Sequence, residues 1–168
     1  MNINHKGLVV FLVLINIIMM QVLLTESQPW FISSLNILFH EAGHLIFSFF
    51  GRVIMVLGGT IGELGIPILF IMYFSMKYDR LGTAFGYWWL STSLYSVSIY
   101  VADARSRVLP LIGGQGGHDW AYLLNRFDLL TYDMFISKVI CLGAWVAIVM
   151  SIIYIARYIR LYEGRIIS

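Results

Sequence analysis

The chain has 168 residues, of which 60% are hydrophobic and only 12% charged, against roughly 45–50% apolar and about 25% charged in an ordinary soluble domain. The net charge is +2, from 11 Lys and Arg against 9 Asp and Glu, and the positives are scattered; a disordered tail, a collagen-like fibre and a nucleic-acid module are excluded. A water-soluble globule of this size would expose more apolar surface than one small core can hide, and the single cysteine, Cys141, allows no internal disulfide.

The first candidate span covers residues 7–24, interrupted only by Asn16 and Gln21. The residues after it, Thr25 to Pro29, do not form a small-x-small cleavage site, so the segment reads as a retained helix rather than a signal peptide. A second span covers residues 30–50. It opens at Pro29 and Trp30 and stops at Gly51-Arg52. Residues 53–65 hold Gly58, Gly59, Gly62 and Gly65, a density that opposes a straight helix. They predict a re-entrant or extended segment, tolerable at membrane depth only where protein or water surrounds it. A third span continues over 66–76. After a polar turn at 77–80 comes a fourth, over 82–101, with Tyr87, Trp88 and Trp89 as interface anchors.

Residues 102–133 are the longest polar stretch, with a glycine-rich loop at 109–117 and a short amphipathic helix over 118–130. The fifth span is 134–158, followed by Arg157, Arg160 and Arg165 at the headgroups. The expected fold is all-α: a polytopic bundle of about five transmembrane helices, with a glycine-rich re-entrant segment after the second. It forms a single integral membrane domain over 1–168, in contact with lipid. Lys and Arg divide six against five between the two sides, which leaves the orientation open.

Chemistry enters at His40-Glu41-Ala42-Gly43-His44, an H-E-x-x-H pattern. Positions i and i+4 share a helix face, so two imidazoles can hold one Zn²⁺ while the adjacent glutamate activates water. Ionisable groups are costly at membrane depth, by at least about 2.5–3.5 kcal/mol for a charge at mid-span, so their presence there needs a reason. Ser33, Asn36, His40, His44 and Ser48 form one polar stripe on an apolar helix, and Gly43 admits a close neighbour. The plainer alternative makes the histidines helix–helix hydrogen-bonding groups.

A catalytic zinc site normally takes a third protein ligand. The first choice is His118, presented by the glycine-rich loop, and the alternative is Asp103. Asp119 and Glu63 complete the candidates. Against these stand simpler roles: Asp119 as a helix N-cap, and Asp103 paired with Arg107. Whichever of His118 and Asp103 is not a ligand is expected to orient one.

The string FHEAGHLIFSFFG within a hydrophobic span, followed by VLGGTIGELGIP, resembles the site-2-protease-type intramembrane zinc metalloproteases. The resemblance implies an intramembrane zinc peptidase in which His40 and His44 bind metal and Glu41 is the general base. It also implies a later aspartate as third ligand. The family's asparagine–proline…aspartate–glycine segment is not present, and the nearest echoes are ADAR at 102–105 and GGHDW at 116–120. The chain leaves no room for a PDZ-like domain, so a minimal or divergent member is expected.

The expected reaction is hydrolysis of peptide bonds in transmembrane or membrane-associated protein substrates. Asn36 is a candidate substrate clamp, and Gly58-Gly59 a candidate extended edge for an unwound substrate strand. Two other readings stand beside it: a zinc-binding membrane scaffold or pseudoenzyme without turnover, and a small metal or proton carrier along Asp103, His40, His44, Glu41 and Glu63.

Overall fold

The computed structural model describes residues 3–25, 30–110 and 117–167, with side chains for 5–25, 36–110 and 117–162. Every regular element among them is helical: α1 (Ile3–Thr25), α2 (Trp30–Phe47), α3 (Arg52–Met76), α4 (Arg80–Ala102), α5 (Asp119–Arg126) and α6 (Asp133–Ile167). Short 3₁₀ turns at Ser48–Phe50 and Leu130–Tyr132 join α2 to α3 and lead into α6. Three stretches are long and apolar enough to cross a membrane: His5–Thr25, Arg52–Met76 and Leu130–Tyr162.

The chief departure from the sequence expectation lies at residues 53–65, which are neither re-entrant nor extended. They form the first half of the continuous helix α3. The glycines that argued against a helix serve its contact with α2 instead. A Cβ on Gly43 would collide with the carbonyl oxygen of Gly58, one on Gly62 with the carbonyl oxygen of Phe39, and one on Gly58 would stand 2.7 Å from Phe47 Cβ. Gly58 and Gly62 are four apart, the small-xxx-small spacing that lets two helix backbones meet where lipid supplies no hydrophobic drive. The helical cost of glycine, about 0.5–1 kcal/mol per residue, is offset by that close contact. The sharp reversal between α2 and α3 is made by Gly51 at φ +86°.

Helix α4 lies at the centre and touches α1, α2, α3, α5 and α6. Its small and hydroxylated residues are consumed there. Ser91 Oγ donates to Ala144 O and Ser151 Oγ to Ala84 O, both at 2.8 Å, and the pairing 91 with 144 and 84 with 151 makes α4 and α6 antiparallel. Helix α1 fills the groove between them: Met19, Val22 and Leu23 pack on Tyr95, Ala144 and Ile148, and Val9 and Leu12 on Leu81, Ala84 and Ile155. The tryptophans of α4 bridge helices. Trp88 Nε1 donates to Ile15 O at 3.0 Å and Trp89 Nε1 to Asn36 Oδ1 at 3.3 Å. The α3–α4 turn is closed by Asp79, whose carboxylate accepts the N–H groups of Leu81 and Gly82.

Gly43→Ala should lower stability by about 1–3 kcal/mol, the ordinary cost of overpacking a close contact. Gly65→Ala, where a Cβ meets nothing within 4 Å, should be neutral or slightly stabilising. Thermal unfolding of the two variants in detergent checks the contrast.

Candidate metal centre

Helix α2 carries His40 and His44 one turn apart, with ring centroids 4.8 Å apart in an edge-to-face arrangement. Asp119 reaches them from the start of α5. Its Oδ2 lies 2.8 Å from His40 Nε2 and 2.9 Å from His44 Nε2. The far side of each ring is also engaged: His40 Nδ1 is 3.2 Å from Glu63 Oε2, and His44 Nδ1 is 2.9 Å from the carbonyl oxygen of Met55. A carbonyl only accepts, so Nδ1 of His44 carries the proton. His40 has a carboxylate at each ring nitrogen, Glu63 at Nδ1 and Asp119 at Nε2. The Nε2 lone pair of His44 points at the Asp119 carboxylate.

His40 Nε2, His44 Nε2 and Asp119 Oδ2 converge on one point, where a proton or a metal cation reconciles them. His40, His44 and Asp119 offer one ligand atom each, all within 4.8 Å of one another. Two imidazole nitrogens and one carboxylate oxygen are a donor set suited to Zn²⁺, and the partners on both Nδ1 atoms are the outer contacts that metal-ligating histidines normally make. Space for the rings comes from Gly59, where a Cβ would stand 2.5 Å from His40 Nε2 and 2.6 Å from His44 Nε2.

Asp119 is held in place by its neighbours. His118 is the N-cap of α5, with Nδ1 accepting the N–H of Ala121 at 3.2 Å, and the N–H of Asp119 donates to Tyr100 Oη at 2.9 Å. Trp120 Nε1 donates to Thr60 Oγ1 at 3.2 Å, and the Arg52 guanidinium lies 4.7 Å above the Tyr122 ring; both tie α5 to α3. The inner side of α5 is seated by Ala121 and Leu124 against Val97, Val101 and Ala104.

The two first choices for third ligand, His118 and Asp103, do not join the imidazole pair. The extended backbone at His118 (φ −74°, ψ 103°) turns its ring back over the helix start. There it stacks on Tyr100 with centroids 4.3 Å apart, and Nε2 lies 3.4 Å from Asp103 Oδ2. Burial holds the His118 imidazole below its ordinary value against the opposing charge of Asp103, which suits a neutral ring that accepts at Nδ1. Asp103 folds the loop by accepting from Ser106 Oγ at 2.6 Å and from the N–H groups of Val108 and Leu109 at 2.9 and 3.0 Å. Burial works to raise its carboxyl, and these bonds outweigh that and hold it below the usual range. Asp103 is therefore a loop tie, not a partner of Arg107. Asp119 is the residue after the cap, not the cap itself.

Other expected site residues fall as follows. Glu41 lines the same cavity of about 300 Å³ as His40, His44, Glu63, Tyr100 and Asp119. Asn36 is turned away into α4, where its Oδ1 accepts from Trp89 Nε1 and Ser93 Oγ; it is a packing bridge rather than a clamp. Gly58 and Gly59 are helical and offer no extended edge. Ser48 donates to Leu45 O on the exposed side. The Ser33 side chain and residues 111–116 of the glycine-rich loop lie outside the described residues.

Sequence reasoning missed Tyr100, the Met55 carbonyl and the spacing role of Gly59. Tyr100 was detectable as the third member of a stripe with Thr92 and Ser96 at intervals of four. Searches against family models, characterised proteins and solved structures find no match to this chain.

The geometry makes opposite demands on neighbouring residues. Asp119→Ala should abolish zinc retention, measured as metal per protein after purification. His118→Ala should lose about 1 kcal/mol of cap stability yet retain the metal, as should Asp103→Ala.

Proposed function

We propose that this chain is an intramembrane zinc-dependent hydrolase of the site-2-protease type, cleaving peptide bonds of transmembrane or membrane-associated proteins. The observation that carries the proposal is the approach of Asp119 Oδ2 to both Nε2 atoms beside a cavity that also receives Glu41. His40, His44 and Asp119 would hold the ion. A divalent ion bound there supplies Lewis acidity, acidifying water and polarising a carbonyl. Glu41 takes the proton of the attacking water and returns it to the leaving amine, a role typically worth 10²–10⁴-fold in rate.

Tyr100 is the donor to the reacting carbonyl in this reading. Its oxygen is fixed by the Asp119 N–H, which leaves the phenolic proton for an acceptor in the cavity, and a donor of that kind stabilises the charge that develops on a carbonyl oxygen.

In this reading α2 and α4 cross the bilayer beside α1, α3 and α6, giving five spans. The 18 residues of α2 and 23 of α4 rise about 27 and about 35 Å at 1.5 Å per residue, close to a hydrocarbon core of roughly 30 Å. A substrate helix must unwind to expose its amides, so Gly, Pro or Asn near the scissile bond is expected.

A second reading, a zinc-binding scaffold without turnover, is favoured by one observation: no extended edge lies beside the cavity among the described residues to hold an unwound strand. Glu41→Gln separates the two. With a panel of fluorogenic membrane peptides and purified protein, hydrolysis should fall at least about 100-fold while zinc content stays at the wild-type level. Full activity in that variant ends the hydrolase proposal. Absence of wild-type turnover over the panel, with zinc retained, favours the scaffold. Tyr100→Phe should reduce kcat by about 10²-fold with little change in KM.

A further inference from the structure

We propose that Glu63 is the positioning residue of the metal centre, acting through Nδ1 of His40. This rests on the metal-binding part of the proposed function and is independent of proteolysis. Glu63 stands on α3, one turn after Gly59, and is 96% removed from solvent. Its Oε2 is 3.2 Å from His40 Nδ1, while Asp119 sits at Nε2 of the same ring. The imidazole therefore separates the two carboxylates, and Glu63 reaches the ion's position through His40, not directly.

Two features show that Glu63 is more than a packing residue. Its other oxygen, Oε1, is buried without a hydrogen-bond partner among the described residues, and the residue lines the cavity. No Lys or Arg pairs with it there; its one ion-pair contact among the described residues is His40. A buried carboxylate is retained only where positive charge or hydrogen bonds compensate it. The Nδ1 contact orients the ring with Nε2 toward Asp119 and His44, as outer carboxylates do for metal-bound histidines. The same bond explains why Glu63, one of the candidate ligands by sequence, stands one step behind the ligand set.

The test is Zn²⁺ affinity of the chelator-stripped full chain in detergent, by competition with a chromophoric chelator, together with the visible spectrum of the Co²⁺ form. Glu63→Gln should weaken Zn²⁺ binding about 10–100-fold and shift the Co²⁺ bands, with helix content unchanged by circular dichroism. Glu63→Met fills similar volume without charge or acceptor and guards against misfolding of the amide variant; it should lose at least as much affinity. Glu63→Asp restores the charge and should bind more tightly than Glu63→Gln. Affinity within threefold of wild type in the folded Gln or Met variant overturns the assignment, as does an Asp variant no better than the Gln variant. A wild-type chain that takes up no Zn²⁺ overturns the metal centre itself, a failure distinct from an unchanged Glu63 variant.

Discussion

Two imidazole nitrogens and one carboxylate oxygen, His40 Nε2, His44 Nε2 and Asp119 Oδ2, converge in a largely buried site, and this is the constraint on which the rest of the structure depends. Burial strengthens the electrostatics of the contact because little water is present to screen it. It persists because each member is fixed from behind. Met55 and Glu63 fix the rings at Nδ1, and the Tyr100 hydroxyl and the His118 cap fix the backbone of Asp119. Such convergence of two imidazoles and a carboxylate is an arrangement that could hold a metal ion.

That constraint explains where the chain places its glycines. Within lipid, helices gain nothing from hiding apolar side chains from tails that are equally apolar; they associate through close packing and interhelical hydrogen bonds. At the α2–α3 contact, Gly43, Gly58 and Gly62 bring the backbones together, and Gly59 leaves room for two imidazoles where a methyl group would collide. At the α4–α6 contact the same end is reached by Ser91 and Ser151, whose hydroxyls bond carbonyls of the opposite helix. Two different small-residue solutions thus hold the two halves of the bundle, with α4 shared between them.

The helical nature of the chain, its likeness to a membrane protein and the pairing of His40 with His44 were legible from residue type and spacing alone. A repeat of four on an apolar helix leaves few other outcomes. The glycine segment was misread because helix propensity is a property of an isolated strand of backbone, whereas these glycines are selected by a neighbouring helix, which propensity does not include. The side chain that meets the imidazole pair, Asp119, stands one residue after the expected His118. In Gly-His-Asp-Trp either His118 or Asp119 can cap the helix, and the one that caps must turn its side chain back onto the first N–H groups. That choice is made by the stacking of His118 on Tyr100 and by Asp103 behind it, contacts between residues well separated in sequence that no local pattern contains.

The roles of His118 and Asp103 tie the polar loop to the centre. Asp103 ends α4 and gathers the N–H groups of Val108 and Leu109, which sets the path of the chain toward Pro110; Arg105 anchors the same loop to Asp133 at the start of α6 at 2.6 Å. Pro110 and Gly117 line the cavity beside the imidazoles, together with Met55 and Val56 of α3. Two imidazoles fixed on α2 beside the glycine-spaced contact with α3, and a carboxylate from the start of α5, meet at the site.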